Sequence, residues 1–580
     1  MKGFKLSKII ALLVAATMAL SLVTACGGGG KQPAQTTAAA AETTAAATTT
    51  AATTQAAVET EAAAAEGADE SGLEHYSFTY YFSDEWQTIH PWGVDKTSAK
   101  WQKQFNLDIE FSKPDADADA KLNLMIASND LPDVINMNRG PINLKMVELG
   151  MLVELAPFQA QNPNYDKNIL KQSQEILKVN GKLYAFPIWP RVKASGGNDC
   201  WIYNKRIYEA AGSPQLKTFE DLYAFAAAVK EKVPVNNEGL PVLPFSVEGY
   251  DALGMLTKGF YRSYGGFNGD IYGRVGDELQ MVLRDPKYRA AIMEANKWFC
   301  EGLIVETNFT ETEEQIVEKL VAGRIGLLYY GMDRDDVNHF RQLLINTFPD
   351  DDYIIVDNPV YPPANGLPPE KIYADAQQTV GGNIACITTA AKQPKRIFDF
   401  LSYLYTKDAS IEMMYGPKGV IWNELDEDGN PILIKSEADM SADERDDLGM
   451  WFWGIAPHSD NVDMTNFAVN AKLPKEKQNW VVWVGANIIT PVMFISDEYN
   501  GLSEVIDPQS DEGINKTLCE NQRKTILPQI IMASSAAEAE KMYDDLIAFC
   551  DKNGMKDIEK ILNEAYIKNC ERQGGTAYTR

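Results

Sequence analysis

Between His75 and Arg580 the sequence alternates short β-rich runs with amphipathic helical ones, and no other feature narrows the possible folds as much. "YSFTYYF" (Tyr76–Phe82) reads as a strand, "TSAKWQKQF" as a helix and "LDIEF" as the next strand. In "KLNLMIASND", Leu122, Met125 and Ile126 share one helical face, and the strand "DVINM" (Asp133–Met137) follows. Pro141 at a helix start and Gly150 at its stop fit the positional preferences of both residues. Thr218 with Asp221 forms a capping box, because a hydroxyl and an acid three residues apart can satisfy each other's backbone N–H groups. Asp285–Pro286 opens another helix, which Gly302 closes, and "EEQIVEKLVAG" leads through Gly323 into the strand "IGLLYYG". The C-terminal stretch reads as two helices joined at Asn553–Gly554. Repeated βα units predict mainly parallel, helix-covered sheets. The stretch exceeds the ~250–300 residues that one core serves, so at least two lobes are expected.

The first residues are of another kind. Lys2, Lys5 and Lys8 precede an apolar run from Ile9 to Val23, and Thr24 and Ala25 are small. A basic start, a short apolar core and a small-residue end describe a secretory signal over residues 1–25. The alternative is a retained anchor helix, but the run is interrupted by Thr17 and Ser21 and falls short of the ~20 apolar residues a span wants. From Gly27 to about Gly72 the chain is nearly all Ala, Thr, Gly, Gln and Glu, with no aromatic residue. Such a segment cannot bury enough surface to offset its ordering entropy, so residues 26–72 read as a tether. As a coil it would reach on the order of 40 Å.

Several function classes are excluded by composition. The formal charge is −27, and loss of the signal would remove three lysines as well. Binding to phosphate backbones or to acidic membranes needs clustered Lys and Arg, so nucleic acid is not a partner. Four scattered histidines and no CxxC spacing argue against zinc, and no metal is expected. "PDADADAK" (Pro114–Lys121) begins like a calcium loop but has Ala120 where glycine belongs and Ile126 where the bidentate acid belongs, so it reads as an acidic turn leading a helix. "ELDEDGNP" reads as a hairpin turn at Asp428–Gly429. No GxSxG elbow, HExxH pair, P-loop or SxxK is present, and no cofactor is implied. A carboxylate pair for glycoside cleavage is not singled out among the 81 acids. The chain is therefore read as a non-enzyme. Export permits disulfides, but pairing among Cys200, Cys300, Cys386, Cys519, Cys550 and Cys570 is not readable from spacing.

The aromatic residues are placed informatively. Trp86 and Trp92 come just past the first strand, Trp189 follows "KLYAFPI", and Trp422, Trp451, Trp453 and Trp483 come late in the chain. Ligands of parallel sheets bind beyond the carboxyl ends of the strands. Tryptophans there present flat faces to the CH-rich faces of sugar rings, whereas any single one is equally explained by core packing. As a set they favour a polar, ring-shaped ligand.

Eight stretches carry a resemblance. They are "KLNLMIASNDLPDVI", "LGMLVELAPF", "GKLYAFPI", "WIYNKRIYEAAGSPQLKTFEDL", "WFCEGLI", "VAGRIGLLYYG", "NIACITTAAKQPKRIFDFLSYL" and "MYGPKGVIW". In this order the chain resembles the extracellular solute-binding proteins of family 1, lipoproteins that serve carbohydrate ABC transporters. The resemblance implies an α/β, two-lobe periplasmic-binding-protein-like fold of type II, with a hinge and an interlobe ligand cleft. The solute-binding domain would cover 73–580, with lobe one at about 75–195 and 380–445 and lobe two at about 196–379 and 446–580. It implies ligand contacts at Asp84 and Trp86, at Asn136, Asn138 and Arg139, at Trp189 and Arg191, at Glu248 and Tyr250, and at Tyr330 and Asp333. Met137 stands where maltose binders often carry an aromatic, which puts maltose in doubt.

The expected function is capture of a mono- or oligosaccharide and delivery to the permease of an ABC importer, by a monomer on the outer face of the cell membrane. A non-sugar or anionic solute is the alternative, with an acidic sugar or other anion favoured if Arg139 and Arg191 both face the cleft, and a surface glycoside hydrolase is a third reading. "LVTAC" fits a lipobox, which implies that the signal is cut before Cys26 and that Cys26 is lipidated as the membrane anchor.

Overall fold

A computed structural model describes residues 72–83, 89–114, 117–194, 199–266, 271–331, 335–357, 359–372, 376–449 and 455–572. Cys26, the signal and most of the tether lie outside the described residues. The strands that organise the fold are β1 (Tyr76–Phe82), β2 (Leu107–Ser112), β3 (Val134–Asn138), β4 (Ala185–Pro187), β5 (Asp199–Asn204), β6 (Leu243–Val247), β7 (Ile325–Gly331), β8 (Tyr353–Ile355), β9 (Ala376–Gln377), β10 (Asn383–Ile387) and β11 (Phe494–Ile495).

All of these but β9 and β11 form two main sheets. The first has the order β2-β1-β3-β10-β4 and the second β8-β5-β7-β6. In the first, β1 runs parallel to β2 and β3, while β10 is antiparallel to β3 and β4. In the second, β7 runs parallel to β6, while β5 is antiparallel to β7 and β8. The expectation of mainly parallel sheets thus needs a correction, because each sheet carries one reversed strand. The cause is topological. The chain leaves the first sheet at the carboxyl end of β4 and next enters β5, and it returns from the second sheet through β9 into β10. A strand entered directly from the facing lobe must run away from it, against the strands of the local βα units. The reversed strand in each sheet is the one that follows a crossing.

Each sheet has its own apolar core. Tyr80, Trp101, Val134, Phe186, Ile384, Phe398 and Tyr405 are among the fully buried residues of the first. Trp201, Phe219, Leu222, Phe245, Phe260, Trp298 and Tyr329 hold the second, which the three C-terminal helices extend through Leu527, Tyr543 and Leu562. A third cluster, with Leu328, Phe340, Leu344 and Val484, fills the other face of the second sheet. Leu448, Ile455, Ala456, Val462 and Val469 pack in the first core. Residues 446–449 and 455–472, expected in lobe two, therefore pack with lobe one.

Local signals act where they were read. Thr218 and Asp221 form the reciprocal cap of the helix Phe219–Lys232. Asp117 caps the helix Ala118–Ser128, with its carboxylate accepting from Ala120 N at 3.0 Å. Trp422–Leu425 and Pro431–Leu433 pair as a hairpin, and Gly429 supplies the left-handed turn residue with φ +74°. Cys200, Cys300, Cys386, Cys519, Cys550 and Cys570 are all free thiols.

Candidate functional site

The crossings show which sheet edges face each other. The first joins the carboxyl end of β4 to the amino end of β5, and the second ends at the amino end of β10. One edge therefore carries the carboxyl ends of β1, β3 and β4. The facing edge carries those of β6, β7 and β8, together with Asp199 at the start of β5. Ligands of open α/β sheets bind beyond such carboxyl ends.

On the first edge the side chains form one chain of contacts. Exposed Asn138, at the end of β3, accepts from Asn383 Nδ2 at 2.9 Å. Asn383 Oδ1 accepts in turn from Trp189 Nε1 at 3.2 Å. The indole of Trp189 stacks on the His458 imidazole, with centroids 4.3 Å apart and planes at 16°. The guanidinium of Arg191 lies over the same indole at 5.0 Å. Arg191 also donates to the His458 carbonyl at 3.3 Å and pairs with Asp463 at 3.3 Å. Asp460 accepts from Val192 N at 2.9 Å and Lys193 N at 2.8 Å, which fixes the loop behind Arg191. Gly381 is required here, since a Cβ at φ +68° would sit 2.5 Å from Trp189 Cβ. Burial, and then the charge of Arg191, push the His458 imidazole down to about 3, so it is neutral at physiological pH.

The second edge is built around Asp199. Its carboxylate pairs with Lys258 and with Arg262, the latter at 3.1 Å, and accepts from the Tyr329 hydroxyl. Arg262 lies over the Tyr361 ring at 4.4 Å. Burial alone would raise the Asp199 carboxyl, but the two adjacent cations outweigh it and hold it well below the usual carboxylate range. Beyond β6, Glu248 accepts from Gly331 N at 3.1 Å, and Tyr250 stands 62% exposed.

The crossings are tied to both lobes by the segment around Asp497. β9 and β11 pair in parallel. Asp497 accepts from Thr379 N at 2.8 Å and from Gln172 Nε2 of lobe one at 2.7 Å. Asn569 of the last helix donates to the carbonyls of Glu498 and Asn500.

The residues expected at the site divide into four groups. Asn138, Trp189 and Arg191 are brought together at the first edge. Tyr250 and Glu248 lie on the second, with Glu248 buried. Others are engaged in packing. Trp92 donates to the Leu107 carbonyl at 2.7 Å and packs edge-on against Phe400. Trp422 is buried and donates to the Gly416 carbonyl at 2.9 Å. Tyr330 is fully buried and donates to Glu313. Asn136 is buried beside Tyr80. Arg139 is turned to the hinge segment, pairing with Glu504 at 3.0 Å and donating to Asn500 at 3.0 Å. Asp84, Trp86, Asp333 and Trp453 lie outside the described residues. His458, Asn383 and Asp463 were not foreseen. His458 carried a usable signal, being one of four histidines and standing just after the aromatic run "WFWGIAPH". Asn383 and Asp463 carried none.

Among the described residues no group of His, Cys, Asp or Glu is arranged to hold a metal, and no helix is long and apolar enough to cross a membrane. Comparison with known proteins adds the following. A family model described as bacterial extracellular solute-binding protein matches residues 77–411. No curated protein sequence matches the chain. Among solved structures, an extracellular solute-binding protein from Bifidobacterium longum subsp. infantis is similar with a TM-score of 0.63 at 16% identity, over 85% of this chain and 98% of that one. The S. pneumoniae ABC-transporter substrate-binding protein FusA, in complex with kestose, gives 0.60 at 16% identity over 86% and 100%. The alginate-binding protein AlgQ2 gives 0.59 at 16% identity over 84% and 97%. At such identities these likenesses establish a shared fold.

Proposed function

The chain belongs to the bacterial extracellular solute-binding proteins, and from that premise we propose that it captures a carbohydrate between its two lobes and delivers it to an ABC importer. The observation that carries the sugar reading is the first edge, where Asn138, Asn383 and the half-buried indole of Trp189 form one contiguous surface. Side-chain amides donate and accept at once, which suits hydroxyl groups, and an indole packs against the CH face of a pyranose or furanose ring. The kestose named with a protein of the same fold supports a ligand of this class.

Closure follows from the division of labour between the edges. A ligand touching both lobes favours the closed arrangement by as much as it binds that arrangement better. The crossings, anchored on Asp497, are where the backbone would turn. The closed pair of lobes is then the form presented to a permease.

Cys26 would hold the protein at the outer face of the membrane through lipid. One acyl chain gives only marginal retention at about 0.8 kcal/mol per buried CH₂, so more than one is needed. Mass spectrometry of the mature N-terminus should find lipid on Cys26, and an unmodified secreted chain refutes the anchor. For the ligand, thermal shift across a carbohydrate panel should show stabilisation by at least one sugar. Response only to peptides or amino acids refutes the sugar reading.

A further inference from the structure

We infer that the ligand is an uncharged glycan and that the site discriminates against acidic sugars. This rests on the sugar reading above and narrows it.

Arg139 and Arg191 are the residues that would have marked an anionic ligand, and the structure gives each a carboxylate of its own. Arg191 is paired with Asp463, and both side chains are largely withdrawn from solvent. Arg139 is paired with Glu504 in the hinge segment, likewise withdrawn. On the facing edge Lys258 and Arg262 share Asp199, while the neighbouring Glu248 is buried with its carboxylate on Gly331 N. Among the described residues these four cations thus stand against four carboxylates. Asp460 and Asp497, which hold backbone N–H groups beside the same crossings, outweigh the exposed Lys193 there and tip the balance among these described residues to negative.

A carboxylate on a sugar would have to displace an existing acid from its cation or remain desolvated among acids. Either is unfavourable, because specificity arises as much from unpaired or repelled charge as from attraction. A hydroxyl meets no such obstacle. Asn138 and Asn383 offer amide groups, and His458 is held neutral, so it adds no cation to attract a uronate. The arginines serve instead to brace Trp189 and the hinge.

The test uses the full mature chain at low ionic strength, where charge effects are least screened. Calorimetric titration compares neutral trisaccharides (kestose, maltotriose, cellotriose, mannotriose) with acidic ones of the same length, namely trigalacturonate, trimannuronate and sialyllactose. At least one neutral glycan should bind about 30-fold or more tighter than any acidic one. Two variants, D463N and E504Q, each remove the acid from one arginine, so the result does not depend on either folding alone. At least one of them should narrow the neutral-to-acidic ratio by about tenfold. An acidic glycan that equals or exceeds the best neutral one overturns the inference, and so does a ratio unmoved in both folded variants. Failure of every glycan, neutral and acidic alike, is a different outcome and overturns the sugar reading itself.

Discussion

The two edges that face each other across the crossings are built on opposite plans. The first presents uncharged amides and a half-buried indole, and Arg191 is turned inward to brace them. The second turns its charges on itself, with Asp199 buried under two cations and a tyrosine hydroxyl. A surface of exposed donors and acceptors can read a polar ligand, whereas a buried ion cluster holds strands in place. The difference assigns recognition mainly to lobe one and rigidity mainly to lobe two, and each edge can be challenged separately.

The largest effect is expected at Asp199. D199N keeps the shape of the side chain but leaves Lys258 and Arg262 without their carboxylate. Breaking a buried pair in this way costs about 3–5 kcal/mol, so the melting temperature should fall well before ligand affinity does. The folded-state carboxyl is held below its unfolded value. Its contribution is therefore complete above about pH 4 and is lost as pH falls further. Acid titration of the wild type against D199N should show this slope in the wild type alone. Loss of affinity with unchanged stability would break the comparison.

His458 gives the next largest effect, at the opposite edge. Its pKa is pushed down to about 3 in the folded state, against about 6.5 unfolded. The folded protein therefore takes up fewer protons, and stability falls as pH drops below about 6.5. Between there and pH 5 the loss should be about 2 kcal/mol, and H458Q should lack it. Denaturant melts at the two pH values measure it. A wild type whose stability is flat over this window contradicts the buried, neutral imidazole.

Trp189→Ala should act on binding more than on folding. The ring is half-buried, and removal of one central aromatic anchor costs about 2 kcal/mol of affinity, or about 30-fold in Kd. Titration with the best sugar from the panel reads it directly. An unchanged Kd would move recognition away from lobe one.

How much of this was legible depends on range along the chain. The strands, the Thr218–Asp221 cap and the Gly429 turn follow from neighbours a few residues apart, and they stand where the sequence placed them. The reversed strands β5 and β10 do not, since a strand's direction depends on which lobe the chain has just left. The packing of 446–449 and 455–472 on lobe one was hidden for the same reason, its partners lying up to several hundred residues away. Tryptophans illustrate the limit at the site. Trp92, Trp189 and Trp422 look alike in sequence, yet only Trp189 joins the contact chain at the first edge, and Gly381, remote in sequence, is what lets it sit there.

The smallest effect tests whether lobe two reads the ligand at all. Tyr250 follows β6 and is a large aromatic that this edge leaves well exposed, at 62%. Because most of the ring faces solvent, Y250A should leave stability within about 0.5 kcal/mol of the wild type. If the ring covers the far side of a bound sugar, affinity should fall by about three- to tenfold, less than for Trp189 because a solvent-exposed rim contact is worth less than a central one. The measurement is a pair of titrations and melts on the two proteins. A fall as large as that of W189A would make the two edges equal partners in recognition. No fall at all would confine lobe two to closing over a ligand that lobe one alone selects, because closure then gains its energy from backbone and hinge contacts instead of from a second aromatic face.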